Sequence, residues 1–243
     1  MAVALGLTGC GTGGAPNIGA QATPAAGISA GQSSKLHPLS VMTVSPSAEE
    51  AELLLLINEV RTRGTVAGKN VIPGSCVADT FVAGQLKALS YSGVLARAAG
   101  RHAQYMSRVG YQAHDEDRAL AGNSGFFYGS TRRERVQRSL NEAGLSPTYD
   151  FVAGNSGENV AGGTPGQTAS GETTTGYATP REVMEAWMQS PSHCHNLMNP
   201  DWDFVGTAYV YNAEPNVQVQ PRRHQYSWVQ VFGRGTPNVK YTY

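Results

Sequence analysis

Net charge is the first thing this chain lacks. Eighteen basic and eighteen acidic side chains cancel over 243 residues, so bulk electrostatics supplies no attraction to nucleic acid or to an acidic bilayer. A long apolar run is missing as well: the longest aliphatic stretch, Leu53 to Ile57, falls far short of the roughly 20 residues that span a membrane. No His-Glu-x-x-His and no phosphate-binding glycine loop occurs, which removes the helical zinc-peptidase and P-loop mechanisms. Gly154-Asn155-Ser156-Gly157 lacks the spacing of a nucleophile elbow. Cysteine is scarce, at three, while glycine reaches 29, so many turns and long loops are expected. The length suits one domain of ordinary size with tails.

The amino-terminal residues Leu7-Thr8-Gly9-Cys10 resemble a bacterial lipobox, in which small residues admit the peptidase and the cysteine takes the lipid. No Lys or Arg precedes them and the apolar run is short, unlike a full signal peptide. Residues 1–10 are therefore expected to be a signal or lipobox-like segment with Cys10 as its lipidation candidate; the alternative is a plain tail cysteine. Gly11 to Pro46 holds Gly, Ala, Pro, Ser and Gln without a sustained period, which reads as a flexible tether over 11–46. The folded domain is expected over 47–235, with a tail over 236–243.

Ser47-Ala48-Glu49-Glu50 is a capping-box signature, followed by Leu53, Leu56, Ile57 and Val60 at helical spacing and by Gly64 as a stop. Ser92 can cap a second helix with inner face Leu95, Ala98, Ala99, His102, Met106 and Val109, closed by Gly110. Thr131 opens a third, with Val136, Leu140 and Ala143 inward and Gly144 closing it. Tyr149 to Val152 reads as a short strand, and Gly162 to Ala178 as a mobile loop. Thr179-Pro180-Arg181-Glu182 starts a fourth helix, with Val183, Ala186 and Trp187 inward and Pro191 ending it. Ser190 can then cap a short segment that places His193 in its first turn, where the helix dipole disfavours the imidazolium. Val205 to Tyr211 and Tyr226 to Phe232 alternate as two antiparallel strands.

Among the histidines, His102 reads as a core residue with one hydrogen bond and His114 as a loop residue just beyond a helix. In His193-Cys194-His195 the two imidazoles diverge on a helix and do not readily share one ion.

Taken together, Leu95 to Ala99 with His102 and Met106, His114, Gly157-Glu158-Asn159-Val160-Ala161, Trp187 to Cys194, Asn196-Leu197-Met198, Val205-Gly206 and Trp228 to Gly233 resemble the bacterial branch of the CAP superfamily (cysteine-rich secretory proteins, antigen five, pathogenesis-related-one; the SCP-like domain). The resemblance implies an α+β fold, an α-β-α sandwich with a central antiparallel sheet flanked by helices. It also implies a cleft of two histidines and two acids. His114, Glu158 and His193 match three of these positions, while Ser190 stands where many eukaryotic members carry the second acid. A Cys76–Cys194 disulfide is implied by bacterial relatives with a cysteine directly after the second histidine; two buried thiols are the alternative.

The function expected is a secreted or lipid-anchored envelope binding module, with no nucleic acid partner and membrane attachment only through a lipid anchor. Its cleft would meet a lipid, cell-wall or protein ligand. The alternatives are a metal- or water-dependent hydrolase using the same cleft, and a structural envelope protein with a relict site. No cofactor is required. Zinc or another divalent ion on His114, Glu158 and His193 is one reading of the cleft, and a metal-free hydrogen-bonded cluster is the other.

Overall fold

A computed structural model describes residues 44–70, 84–110, 112–121, 125–144, 156–167, 173–213 and 224–235. The chain divides between Ser33 and Ser34, and every described residue lies on the carboxy-terminal side. Cys10, most of the expected tether, Cys76, the strand expected at Tyr149 to Val152 and the tail over 236–243 lie outside the described residues.

Local chemistry starts the first helix. The Ser47 hydroxyl accepts from the Glu50 amide, and the Glu50 carboxylate accepts from the Ser47 amide at 2.8 Å. This capping box opens α1 (Ala48–Arg63), which ends at Gly64 in the left-handed region at φ 74°. Short strands β1 (Thr65–Val66) and β2 (Lys69–Asn70) pair as a hairpin. Next come β3 (Ser90–Tyr91), α2 (Gly93–Val109), α3 (Arg118–Ala121) and α4 (Arg132–Glu142). They are followed by β4 (Ser156–Gly163), β5 (Gly166–Gln167), β6 (Thr173–Thr174), α5 (Pro180–Gln189), α6 (Pro191–Leu197), β7 (Phe204–Tyr211) and β8 (Tyr226–Gly233). Ser92 caps α2, Thr131 caps α4, and Thr179 with Glu182 forms a second capping box at α5.

The central sheet runs β3-β7-β8-β4. β7 and β8 pair antiparallel from Phe204↔Gly233 to Tyr211↔Tyr226, and β8 continues onto β4. Side chains alternate across a strand, so each strand feeds two cores. Ala208, Val229, Val231 and Val160 pack with Leu95, Met106, Val136 and Leu140 of α2 and α4. Val205, Trp228, Phe232 and Ala161 pack with Leu53, Ile57, Val183 and Trp187 of α1 and α5. Helices on both faces of a central sheet make the α+β sandwich expected.

Several details differ from the expectation. The edge strand β3 runs parallel to β7, which a two-residue ladder permits without a hydrophobic pattern of its own. The span Gly162 to Ala178 is not all loop: β4 extends to Gly163, and β5 pairs with β6. Ala143 caps α4, and Gly144 follows at φ 70°. On α5, Ala186 is half-buried, whereas Met184 and Met188 are buried with Trp187. Ser190 starts α6 as expected but makes no side-chain cap hydrogen bond; Pro191 at the first position leaves one fewer amide to satisfy.

Gly206 is where α2 meets the sheet. A Cβ there would lie 2.0 Å from the Ala96 amide nitrogen, so the helix backbone rests directly on β7. Gly206→Ala is expected to destabilise the fold by about 3 kcal/mol or more, since overpacking here presses on backbone. Gly100→Ala, where nothing lies within 4 Å, is expected to be neutral or stabilising by up to about 1 kcal/mol. Urea denaturation of the two variants checks the contrast.

Candidate functional site

The site forms over the edge strand β4, whose period-2 alternation sends Glu158 and Asn159 to opposite faces. Glu158 turns toward the α2/α4 layer. Its Oε1 lies 3.1 Å from His114 Nδ1, and its Oε2 accepts from Arg135 Nη2 at 2.8 Å. Burial alone would raise the Glu158 pKa. The His114 hydrogen bond and the Arg135 charge outweigh it and hold the carboxyl at about 2. An ionised carboxylate only accepts, so His114 Nδ1 carries a proton and Nε2 is the acceptor of the neutral ring. The His114 side chain remains 56% exposed.

On the other face, Asn159 Nδ2 donates to the His193 carbonyl at 3.1 Å and to Gln230 Oε1 at 3.2 Å. Asn196 Nδ2 donates to Asn159 Oδ1 and to the Glu158 carbonyl, each at 3.0 Å. These amides hold α6 against β4 and so place His193, whose ring lies 6.5 Å from that of Trp187. Burial, then the charge of His114, lowers the His193 pKa from its ordinary value. The direction agrees with the helix-dipole expectation, but the causes are desolvation and the neighbouring histidine. Both therefore favour a neutral His193 ring at physiological pH.

The open edge of β4 is covered by side chains. The Val160 carbonyl accepts from Gln112 Nε2 at 3.2 Å and from Trp187 Nε1 at 3.3 Å, so polar groups that would template another strand are satisfied. Gly157 explains the glycine of the Gly-Glu-Asn run: a Cβ there would meet Trp202 Cζ2 at 3.0 Å and Asn196 Oδ1 at 3.2 Å.

Beneath His114 and Glu158 lies a second layer that sequence reasoning missed. Arg135 also donates to the His114 carbonyl at 2.9 Å, and its Nε sits 3.8 Å from Glu116 Oε1. Glu116 Oε2 accepts from the Tyr128 amide at 2.6 Å and the Gly129 amide at 3.3 Å. His102 is buried as expected but has two partners, Glu116 Oε1 at 3.1 Å and the Ala113 carbonyl at 2.8 Å. The second acid of the cluster is thus Glu116, buried behind Arg135 and His102. Ser190 is half-buried and makes no hydrogen bond to His114, Glu158 or His193. Arg132 donates to Ser156 Oγ at 3.0 Å and lies near enough to Glu158 to feel its charge. Asn159 and Asn196 stood inside recognisable runs without a role, while Arg135 and Glu116 carried no local signal.

The donor set does not suit a tightly held metal. Glu158 is engaged on both oxygens and His114 on Nδ1, which leaves one nitrogen of His114 and the His193 ring. Among the described residues no group of three or more His, Cys, Asp or Glu could hold an ion. His195 is exposed on α6, away from the half-buried His193, as the helical geometry requires. The sequence does carry one Gly-x-Ser-x-Gly run, Gly27-Ile28-Ser29-Ala30-Gly31, which lies outside the described residues.

The depressed Glu158 pKa sets an acid limb. A carboxyl held at about 2 in the fold against an ordinary 4.5 contributes stability that is complete above about 4.5 and lost as pH falls through about 2. Glu158→Gln is expected to lower stability at pH 7 by about 3–5 kcal/mol, because it strands Arg135, and to flatten the pH dependence below 4.5. Urea denaturation at pH 7, 4.5 and 3 reads both effects; an unchanged slope in the variant is the contrary result.

The chain is similar to several known proteins. A segment of 44 residues is 41% identical to the uncharacterized protein YkwD of Bacillus subtilis, covering 18% of this chain and 17% of that protein. An extracellular protein containing an SCP domain from Bacillus anthracis aligns at 18% identity and TM-score 0.47, over 77% of this chain and 40% of that one. An outer surface protein from Borrelia burgdorferi aligns at 17% identity and TM-score 0.48, over 79% of this chain and 97% of its own. Among the described residues no helix is long and apolar enough to cross a membrane. The model of the cysteine-rich secretory protein (CAP) family matches residues 54–232, most of the chain, and the protein belongs to that family.

Proposed function

We propose that this protein is an extracytoplasmic binding module that presents the His114–Glu158–His193 cleft to an envelope ligand and catalyses no reaction there. The observation that carries this reading is the double engagement of Glu158. A carboxylate held at about 2 between His114 and Arg135 is a poor general base and stays unprotonated, so it is no general acid, at neutral pH. Among the described residues no hydroxyl or thiol hydrogen-bonds to the ring of His114 or His193, so no activated nucleophile supports acyl transfer. What the cleft offers is an exposed imidazole with a fixed tautomer beside a half-buried one that favours neutrality. Those groups suit a ligand with hydroxyl or amide donors, such as a cell-wall glycan or peptide, a lipid headgroup or a protein surface. No metal is needed for this reading.

The test pairs turnover with binding. Purified protein and His114→Ala are assayed on peptide and peptidoglycan substrates, alongside calorimetric titration with zinc at pH 7.5. The expected outcome is no turnover and zinc affinity weaker than that of a three-ligand site. Turnover lost in His114→Ala, or tight zinc binding lost in His193→Ala, overturns the reading in favour of a hydrolase or a metal centre.

The proposal includes secretion, lipidation at Cys10 and a Cys76–Cys194 disulfide. The family match supports secretion in kind. Cys194 is 1% exposed, and both other cysteines of the chain lie outside the described residues. Cross-linking so far along the chain restricts the unfolded state and stabilises by about 2–5 kcal/mol. Mass analysis of an unreduced digest is expected to find Cys76 and Cys194 in one linked peptide pair; a Cys10–Cys194 pair would rule out both the pairing and lipidation.

A further inference from the structure

The outward face of α2 carries charge that the whole chain does not. Between Gly93 and Val109 the helix holds Arg97, Arg101 and Arg108 and no Asp or Glu. With Gln104 these residues follow one another at helical spacing and form a single stripe. Arg101, Gln104 and Arg108 are exposed, and Arg97 is half-buried. At 1.5 Å per residue the stripe is about 16 Å long.

Two clefts flank the stripe and share Gln104. The larger, of about 500 Å³, has Arg97, Arg101 and Tyr91 in its lining. The smaller, of about 210 Å³, has Arg108, Phe126 and Tyr211. Two carboxylates, Glu50 and Glu142, also line the larger cleft, and both are engaged by their own chain. Glu142 accepts from Arg138 Nε at 3.1 Å and from the Tyr128 hydroxyl at 2.7 Å, and lies 3.9 Å from Arg97. Glu50 accepts from the Ser47 and Tyr209 amides. Arg101 lies 5.5 Å from the Tyr128 ring centre and Arg108 5.8 Å from that of Phe126. Contacts through ring faces steady a guanidinium while leaving its N–H donors for an anion.

We infer that this groove is a docking site for a linear anionic polysaccharide, with its carboxylate groups on Arg97, Arg101 and Arg108. Length and charge call for a repeating anion, not a single headgroup. Concave clefts at both ends receive a strand better than a flat bilayer does. Tyr211, 52% exposed in the smaller cleft, offers an aromatic face to the apolar side of a sugar ring. The groove's lining shares no residue with the His114–Glu158–His193 cleft, so the inference goes beyond the function proposed above and stands without it.

The experiment titrates the full chain with polygalacturonate at 20 and 300 mM NaCl, with neutral dextran, anionic phospholipid vesicles and single-stranded DNA as comparisons. The expected result is polygalacturonate binding that weakens at least tenfold at the higher salt, because exposed charges are screened, and no binding to dextran. Arg101→Glu/Arg108→Glu is expected to weaken binding at least tenfold at an unchanged melting temperature. Gln104→Glu, one exposed substitution in the middle of the stripe, is expected to weaken it as well if the double variant does not fold. The inference is overturned if the wild type does not bind, if it binds dextran equally, or if it prefers vesicles or DNA. Variants that bind like the wild type overturn it too.

Discussion

Arg135 joins three parts of the protein at one buried point. Its guanidinium pairs with Glu158 on β4, donates to the His114 carbonyl of the loop after α2, and faces Glu116 from the segment before α3. The residue is fully buried, as is Glu158 to within 2%, so the pair exchanges a large desolvation cost for attraction in a low-dielectric interior. That exchange depends on how well the remaining polar atoms are satisfied: the amides of Tyr128 and Gly129 and the ring of His102 satisfy Glu116, while Arg135 Nε makes no hydrogen bond and only faces Glu116 at 3.8 Å. The candidate site therefore rests on a charge network one layer below His114. His114 is aimed by Glu158, and Glu158 is aimed by Arg135.

The edge position of β4 governs the rest of the site. Only an edge strand has carbonyls available to side chains from both helical layers. Gln112 arrives from one side, and Trp187 and Asn196 from the other. Close approach is possible because glycine stands where neighbours press on the sheet, at Gly157 beneath Trp202 and at Gly206 beneath α2. Two histidines held by opposite layers consequently lie near enough for the charge of His114 to act on His193.

A net charge of zero conceals segregation. The first turn of α1 carries Glu49 and Glu50, whereas α2 carries only arginines among its charged residues. Bulk charge governs long-range attraction, but a surface seen at contact distance is screened from the rest within about 10 Å at ordinary ionic strength. The zero sum speaks to the molecule's average field, not to the field along α2.

Much of the fold was legible in the residues because its signals are local. Capping boxes at Ser47 and Thr179, hydroxyl caps at Ser92 and Thr131, glycine stops at Gly64 and Gly110, and the alternation of β7 and β8 each act within a few positions. His114, Glu158 and His193 were nameable from their motif contexts. Short ladders escaped, since β3, β5 and β6 are two residues each and carry no period to read. The partnership of Glu158 was not legible at all. Arg135 reaches it across 23 positions, and Glu116 meets Arg135 across 19, on a helix and a loop whose sequences look like solvated charge. Sequence determined which elements form and where they stop, because those choices depend on neighbouring backbone groups. Tertiary structure alone decided which charges are buried together, because burial depends on what the other layer of the sandwich brings to the same point.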